Sequence, residues 1–143
     1  MINIIIKKVE IIYMQRNTVQ RQIILDAIKN LKIHPTVDEV YEKIKSEHPA
    51  IGKTTVYRNL RQLAQNGEIG QVTMPYSTER YDKRSDPHYH FKCDNCGQLF
   101  DVDMDYLEDI DEIARRKYGF QIHKHDVIFK GFCPDCIEKN KEE

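Results

Sequence analysis

The chain has 143 residues, of which 40% are hydrophobic, with 22 Lys and Arg against 23 Asp and Glu and no Trp. This length and composition fit one compact domain or two small ones and exclude a disordered charged tail. Apolar runs such as Ile4–Ile6 are far shorter than the ~18 residues that cross a bilayer, and no small-residue cleavage site follows. We therefore expect a cytoplasmic protein with no membrane partner.

Charge is divided unevenly along the chain. Residues 1–82 carry 12 basic and 9 acidic side chains, a net charge of +3, whereas residues 83–143 carry 10 and 14, a net charge of −4. A net positive region is what the phosphate backbone of a nucleic acid attracts. The first part of the chain is therefore the candidate for contact with DNA.

Apolar periodicity predicts three helices between residues 15 and 67. In the first, apolar residues recur at helical spacing over residues 24–31, and His34-Pro35 ends it. Thr36 and Glu39 form a capping box at the start of the second helix. The third runs over about residues 53–66, before Gly67, which accepts a left-handed conformation.

After Gly67 the period becomes extended, which predicts a hairpin with strands at 68–74 and 80–82. Three short helices followed by a hairpin predict a winged helix-turn-helix. We expect this DNA-binding module at residues 14–82, a polar hinge at 83–87 and a second module at 88–143. Residues 1–13 have a β-branched composition and predict an N-terminal extension of uncertain order, either a frayed segment or a misassigned translation start.

The second module is predicted to mix strands and a helix, which makes the protein α+β. A strand over 88–93 leads through a tight turn into 98–102. The following helix should start at Asp105, with Glu108 three residues on, and end at Gly119. Its inward side chains would be Leu107, Ile110 and Ala114, with a last strand over 120–132 and a loose end over 139–143.

Four cysteines form two Cys-x-x-Cys pairs, Cys93 with Cys96 and Cys133 with Cys136. Each pair can present two thiolates to one ion, and two such pairs complete a tetrahedral zinc site. With no position left for water, this zinc would be structural, and its binding energy would become folding energy. A thioredoxin-like redox pair needs only one such motif at a strand-helix junction, so the doubled spacing favours zinc.

Histidines and aspartates provide a second candidate site. His88 and His90 point to the same side of a strand, and Asp101 reaches that face if the two flanking strands pair. His34 ends the first helix and Asp82 ends the wing, so a site that used them would join the two modules. Each residue taken alone is equally compatible with an ordinary cap, turn or surface role.

The ordered motifs resemble one known family. The string His34-Pro-Thr-Val-Asp-Glu-Val-Tyr41, followed by Thr54-Thr-Val-Tyr-Arg-Asn-Leu60, Arg80-Tyr-Asp82, His88-Tyr-His90 and the two cysteine pairs, resembles the ferric uptake regulator (Fur) family of metal-dependent bacterial repressors. The resemblance covers about residues 15–137. It implies a homodimer joined through a C-terminal α/β dimerisation module, a structural Zn²⁺ on the four cysteines, and a regulatory metal held by His34, Asp82, His88, His90 and Asp101.

Several positions indicate the branch of this family. Asp101, where other members carry Glu, and Asp82 resemble the peroxide-sensing (PerR) repressors. The iron-sensing branch has a further metal site, and Pro87 and Tyr89 stand at two of its ligand positions. Glu108 and His125 match the remaining ligands of that site. Arg58 argues against the peroxide-sensing branch, because an arginine at this position is more typical of the iron-sensing branch.

Three imidazoles and two carboxylates suit Fe²⁺ or Mn²⁺ and leave one octahedral position open to a small oxidant. The resemblance implies that peroxide oxidises His34 or His90 when Fe²⁺ is bound, with loss of DNA binding. The expected partner is double-stranded operator DNA with a palindromic sequence. Its contacts would come from the third helix and from Arg16 ahead of the first: Thr54, Thr55, Tyr57, Arg58, Arg61 and Arg16.

Two alternatives remain beside the peroxide-sensing repressor. One is an iron-sensing or zinc-sensing repressor of the same family without histidine oxidation. The other is a small metal-dependent hydrolase, which would need a general base near an open metal position. The sequence shows no HExxH motif and no evident base, so we expect a regulator with no catalytic residues rather than an enzyme.

Overall fold

The computed structural model describes residues 1–142 and divides into two compact units, one spanning Met1–Ser85 and the other beginning at Asp86. Glu143, the last residue of the predicted second module, lies outside the described residues. Helices accompany a two-stranded sheet in the first unit and a three-stranded sheet in the second. The predicted α+β class is therefore confirmed. No helix in the described residues is long and apolar enough to span a membrane.

Three helices build the core of the first unit: α1 (Ile2–Asn30), α2 (Val37–Ile44) and α3 (Lys53–Gln65). Their facing sides meet through side chains that are entirely removed from solvent, among them Ile24, Val40, Val56, Leu60 and Leu63. Burial of such aliphatic groups is the main favourable term in folding. The apolar residues that the sequence places on one face of each helix are thus the residues that pack together.

Local signals place the ends of these helices. The Thr36 hydroxyl accepts a hydrogen bond from the Glu39 N–H at 3.2 Å, as the capping box predicts. Gly67, just beyond α3, has a φ of 74°. A residue with a side chain rarely adopts this left-handed conformation, which explains why glycine ends the helix there.

The wing of the first unit consists of β1 (Gly70–Val72) and β2 (Arg80–Asp82), which pair antiparallel with Gly70 opposite Asp82. A Cβ added to Gly70 would lie 2.5 Å from the Arg84 carbonyl oxygen and 3.2 Å from the Asp82 Cβ. Only glycine fits this close approach without movement of a neighbour. The backbone next to Asp82 is therefore tightly placed.

The N-terminal segment differs from the expectation of a frayed extension. Residues 2–13 form the first turns of α1, which continues without interruption to Asn30. No glycine or proline occurs before Pro35, so no residue breaks the helical hydrogen bonding. Isoleucine and valine lower helix propensity by less than about 0.7 kcal/mol per residue, too little to end a helix by themselves.

The second unit is built on a sheet of order β4-β3-β5. The central strand β3 (Tyr89–Cys93) pairs antiparallel with β4 (Leu99–Val102) and parallel with β5 (Ile128–Gly131). Two helices complete it, α4 (Asp109–Tyr118) and α5 (Pro134–Lys141). Pairing with both neighbours holds β3 at the centre of the unit.

Three details of the second unit contradict the sequence analysis. Helix α4 begins at Asp109 rather than Asp105, and Leu107 and Ile110, predicted to point inward, are 45% and 40% exposed. The last strand, predicted over 120–132, is limited to β5, and α5 extends to Lys141, so residues 139–141 are helical rather than loose. Side-chain hydrogen bonds explain the late start of α4, because the Tyr89 hydroxyl accepts from the Leu107 N–H at 2.8 Å and holds that segment in a non-helical conformation. Proline in the first turn of α5 favours helix there.

Candidate metal centres

The four cysteine sulfurs converge in the second unit. Cys93 ends β3, and Cys96 follows in a tight turn closed by Gly97, whose φ is 72°. Cys133 and Cys136 lie at the start of α5. The four Sγ atoms all lie within 4.8 Å of one another. The two pairs that the sequence predicts to share one ion are thus brought together.

Strand pairing explains this convergence. In the parallel register Cys93 lies opposite Gly131, and the Asp94 N–H donates to the Gly131 carbonyl at 2.7 Å. The chain that leaves β5 therefore enters α5 beside the Cys93 turn. The N–H groups of Cys133 and Cys96 then point at the Cys93 sulfur, at 3.4 Å and 3.5 Å.

These backbone donors prepare Cys93 to act as a thiolate. The N–H of Cys133, followed by that of Cys96, lowers the pKa of the Cys93 thiol to about 6. A thiolate is the form of cysteine that binds metal. Four sulfur donors at this mutual distance suit tetrahedral Zn²⁺ and leave no position for water, so the ion fits as a structural zinc.

A histidine and an aspartate meet in the first unit. His34 Nε2 lies 3.1 Å from Asp82 Oδ2, and both side chains are nearly buried, at 10% and 4% exposure. Backbone contacts fix the two residues: the Tyr81 N–H donates to the Pro35 carbonyl at 2.9 Å, and the Arg84 N–H donates to Asp82 Oδ1 at 2.9 Å. We call His34 and Asp82 the first half-site.

The guanidinium of Arg80 adds a further support to this half-site. It donates to the backbone carbonyl of His34 at 2.9 Å and to Glu39 Oε1 at 3.3 Å. The wing strand β2 thereby holds the turn between α1 and α2. Sequence reasoning missed this role of Arg80, since a lone arginine in a strand gives no signal of the partner it will find.

Two histidines and an aspartate meet in the second unit. His90 lies opposite Asp101 in the register of β3 and β4, and His88 precedes it by two residues on the same face. Asp101 Oδ1 lies 3.0 Å from His88 Nε2 and 3.4 Å from His90 Nε2. We call these three residues the second half-site. The hairpin that the sequence analysis required does form.

The tautomer of His88 favours a cation at the second half-site. Its Nδ1 lies 2.7 Å from the Asp86 carbonyl oxygen, which can only accept, so Nδ1 carries the proton. In a neutral ring Nε2 then presents a lone pair toward the carboxylate oxygen of Asp101. Two acceptors this close need a proton or a metal ion between them. The donor set of imidazole and carboxylate suits Fe²⁺, Mn²⁺ or Zn²⁺.

The predicted DNA-contacting residues lie on accessible surface of the first unit. Thr55 is half-buried and the others are exposed, namely Thr54, Tyr57, Arg58, Arg61 and Arg16. The Arg61 guanidinium donates to the Tyr57 hydroxyl at 3.5 Å, so these two side chains lie side by side on α3. Sequence reasoning missed Tyr76, which is fully exposed at the tip of the wing with a φ of 60°. An aromatic residue inside a polar turn is the signal that could have found it.

His125 belongs to a hydrogen-bonded cluster that the sequence analysis did not foresee. Tyr89 lies 2.7 Å from His125 Nε2 through its hydroxyl, and Asp111 Oδ1 lies 2.8 Å from His125 Nδ1. Tyr106 stacks on the imidazole at a centroid distance of 4.4 Å. Both ring nitrogens of His125 thus contact side chains of this unit. Tyr89 stands where the family resemblance would place a ligand of the further metal site of the iron-sensing branch.

We expect Tyr89→Phe to loosen this cluster without unfolding the unit. The substitution removes the acceptor of the Leu107 N–H and a partner of His125, a loss worth about 1–3 kcal/mol for groups removed from water. Faster hydrogen exchange at the Leu107 amide is the measurement. Tyr118→Phe is the matched control, because Tyr118 is 60% exposed. Equal exchange in both variants would contradict the assigned role of the Tyr89 hydroxyl.

Comparison with known proteins gives a consistent result. The model of the ferric uptake regulator family matches residues 14–130. The chain is 32% identical over 124 residues to the peroxide operon regulator of Bacillus subtilis, covering 87% of this chain and 86% of that protein. It is 33% identical over 124 residues to the peroxide-responsive repressor PerR of Staphylococcus aureus, covering 87% and 84%. The structure of the Campylobacter jejuni peroxide stress regulator superposes with a TM-score of 0.71 at 29% identity, covering 95% of this chain and 99% of that one.

Proposed function

Because this chain belongs to the ferric uptake regulator family, we propose that it is a metal-dependent repressor that binds operator DNA as a homodimer and senses peroxide. It acts as a regulator and not as an enzyme. The observation that carries the proposal is the second half-site, where His88 and His90 converge on a single carboxylate oxygen of Asp101. Its relatives that are named for peroxide response support the choice of branch.

We propose that the two half-sites bind the same regulatory ion. Each alone offers too few protein donors for a six-coordinate metal, whereas together they offer three imidazoles and two carboxylates. Five residues separate Asp82 from His88. An extended chain of that length spans at most about 20 Å, so the two half-sites are tethered near one another. An ion shared in this way would fix the first unit relative to the second.

The family resemblance indicates where oxidation would occur. Bound Fe²⁺ would supply the reduction of peroxide and the oxidant that adds oxygen to an adjacent imidazole, a reaction that Mn²⁺ does not readily drive. His34 and His90 are the target residues, in line with the family resemblance. His88 is held by the Asp86 carbonyl and His34 by the nearly buried Asp82. Oxidation of one imidazole would remove a ligand and release the fixed arrangement of the units.

DNA binding would use α3 and the wing. Arg58 and Arg61 can reach guanine edges or phosphate, and Tyr57 and Thr55 can pack on thymine methyl groups. Thr54 and Arg16 would contact the backbone, and Tyr76 lies at the exposed wing tip. In a dimer, two copies of α3 would enter successive major grooves ~34 Å apart, which requires a palindromic operator.

An anaerobic loading experiment tests the proposal. The full chain is loaded with Fe²⁺ or with Mn²⁺, and its operator is selected from random duplexes with the Mn²⁺ form. Micromolar peroxide is then added to both forms, and DNA binding and peptide masses are measured. We expect one added oxygen atom on the peptide with His34 or His90 and loss of DNA binding in the Fe²⁺ form alone.

The variant Asp101→Glu provides a matched control. It keeps a carboxylate ligand but changes its reach, so we expect repression with reduced oxidation. Unchanged mass and unchanged DNA binding of the Fe²⁺ form after peroxide would replace peroxide sensing by iron or zinc sensing; Arg58 is the residue more typical of the iron branch. Failure of the Mn²⁺ form to select any duplex would overturn the proposal of a repressor itself.

A further inference from the structure

The first half of α1 exposes a row of large apolar side chains. Among them are Ile2 at 73%, Ile5 at 59%, Val9 at 59% and Ile12 at 64% exposure, and Val19, further along the helix, is 58% exposed. Soluble proteins rarely leave a contiguous apolar patch of this kind uncovered, and such a patch marks an interaction surface.

These residues follow the spacing of a coiled coil. Steps of three and four alternate along positions 2, 5, 9, 12, 16, 19 and 23, which are the a and d positions of a heptad. Six of the seven are isoleucine or valine, and Arg16 is the exception. We call this set of positions the α1 seam. Its periodicity predicts a helix as the partner, because a and d side chains pack into holes between the residues of a facing helix.

A groove lies along the later part of the seam. Its volume is about 580 Å³, and the seam residues Ile12, Arg16, Val19 and Ile23 lie on one side. The other side is the loop after α2, with Pro49, Ala50 and Ile51. The seam therefore changes along α1 from a projecting apolar ridge to the wall of an apolar groove, two shapes that can complement each other.

We propose that the α1 seam pairs antiparallel with the α1 seam of a second copy of this chain. Antiparallel pairing places Ile2 of one copy beside Val19 of the other, and Val9 beside Ile12, so that ridge meets groove twice in a two-fold interface. Arg16 then lies beside Ile5 and can extend its charged end to solvent. A parallel pairing in register would instead oppose the two Arg16 side chains.

The area available is what a weak specific interface needs. A buried aliphatic side chain removes on the order of 100 Å² from water, so five exposed seam residues on each of two copies remove about 1,000 Å². This is the lower limit for a specific interface. The pairing would therefore act beside other contacts between copies and would depend on neither metal nor DNA.

Seam pairing involves Arg16, one of the proposed contacts to the DNA backbone, but leaves the α3 face accessible. A different side of α1 faces α3, where Tyr13, Asn17 and Arg21 line a separate cavity with Arg58 and Gln62. None of these three α1 positions belongs to the seam. Two paired copies could therefore still present Arg58 to DNA.

Sedimentation equilibrium of the full zinc-bound chain, without regulatory metal or DNA, tests the pairing. We expect Val9→Glu/Ile12→Glu to weaken self-association at least tenfold. The matched control is Ile4→Glu/Ile11→Glu, which adds the same charge at residues that are 60% and 53% exposed but lie off the seam. The control should associate like the unchanged chain, and Arg16→Leu should associate more tightly, because it removes the only charged seam residue. Helix content is checked by circular dichroism in all variants.

Three outcomes would overturn the proposal. One is self-association that is equal in the seam variant, the control variant and the unchanged chain. A second is equal weakening in both double variants, which would indicate a nonspecific apolar effect. The third is binding of the unchanged chain to anionic phospholipid vesicles that the seam variant loses while its self-association stays constant, which would assign the face to a membrane surface.

Discussion

Replacing Cys93 with serine is expected to remove zinc from the chain and to unfold the second unit. Cys93, Cys133 and Cys136 are the buried members of a core cluster in this unit, with Phe91 packed against them. Structural zinc contributes about 10–16 kcal/mol of apparent binding energy, as much as the whole stability of a typical domain. The measurements are zinc content after dialysis and the amide signals of the second unit in an NMR spectrum.

The neighbouring substitution Asn95→Ala is the control, because Asn95 lies in the same turn and is exposed. It should retain zinc and a folded second unit. In Cys93→Ser the helical signal of the first unit should persist, since that unit has its own core. Recovery of Cys93→Ser with a full equivalent of zinc and dispersed signals would refute the structural role of the four sulfurs.

Removing the carboxylate of Asp82 has the second largest expected effect, this time on regulation. Asp82 is 3% exposed, contacts His34 Nε2 at 3.1 Å and accepts the Arg84 N–H. Because Asp82 is a proposed ligand of the regulatory ion, we expect Asp82→Ala to weaken Mn²⁺ binding at least ~100-fold, more than the 10–100-fold cost of losing a residue that only supports a ligand. Metal-dependent DNA binding should disappear with it, while zinc content stays unchanged. Titration calorimetry with Mn²⁺ and fluorescence anisotropy of labelled operator measure the two effects.

Asp38→Ala is a control of equal charge change in the same unit. The Asp38 carboxylate pairs with Lys53 on the surface and is 72% exposed. This variant should bind Mn²⁺ and operator like the unchanged chain. If Asp82→Ala also kept its Mn²⁺ affinity, the first half-site would have no part in the regulatory centre.

Features of the fold that depend on a few neighbouring residues could be predicted from the sequence. The capping box at Thr36 and the left-handed Gly67 and Gly119 are determined within one helical turn. The start of α4 was wrong because Tyr89, 18 positions earlier in the chain, holds the Leu107 N–H. Residues 2–13 were expected to be a frayed extension because chain termini are usually the least ordered part of a domain, whereas the absence of a helix breaker was the stronger signal.

The candidate sites also combine features set by neighbouring residues, which the sequence indicates, with features set by the fold, which it does not. Cysteine spacing alone indicated the zinc cluster, because the ligand turn is encoded by four consecutive residues. The sequence could not indicate that the Asp86 carbonyl fixes the His88 tautomer or that Arg80 supports His34, since both contacts involve backbone atoms placed by the fold. The Tyr89–His125 contact is likewise a product of tertiary structure.

Gly70 shows how a substitution in the wing could retune the sensitivity of the regulator. Its missing side chain leaves room for the Arg84 carbonyl and the Asp82 Cβ, so even alanine would push on the strand that carries a proposed ligand. Random mutagenesis that selects for an altered threshold of metal response should therefore recover changes at this position, although Gly70 is not among the proposed metal ligands or DNA contacts.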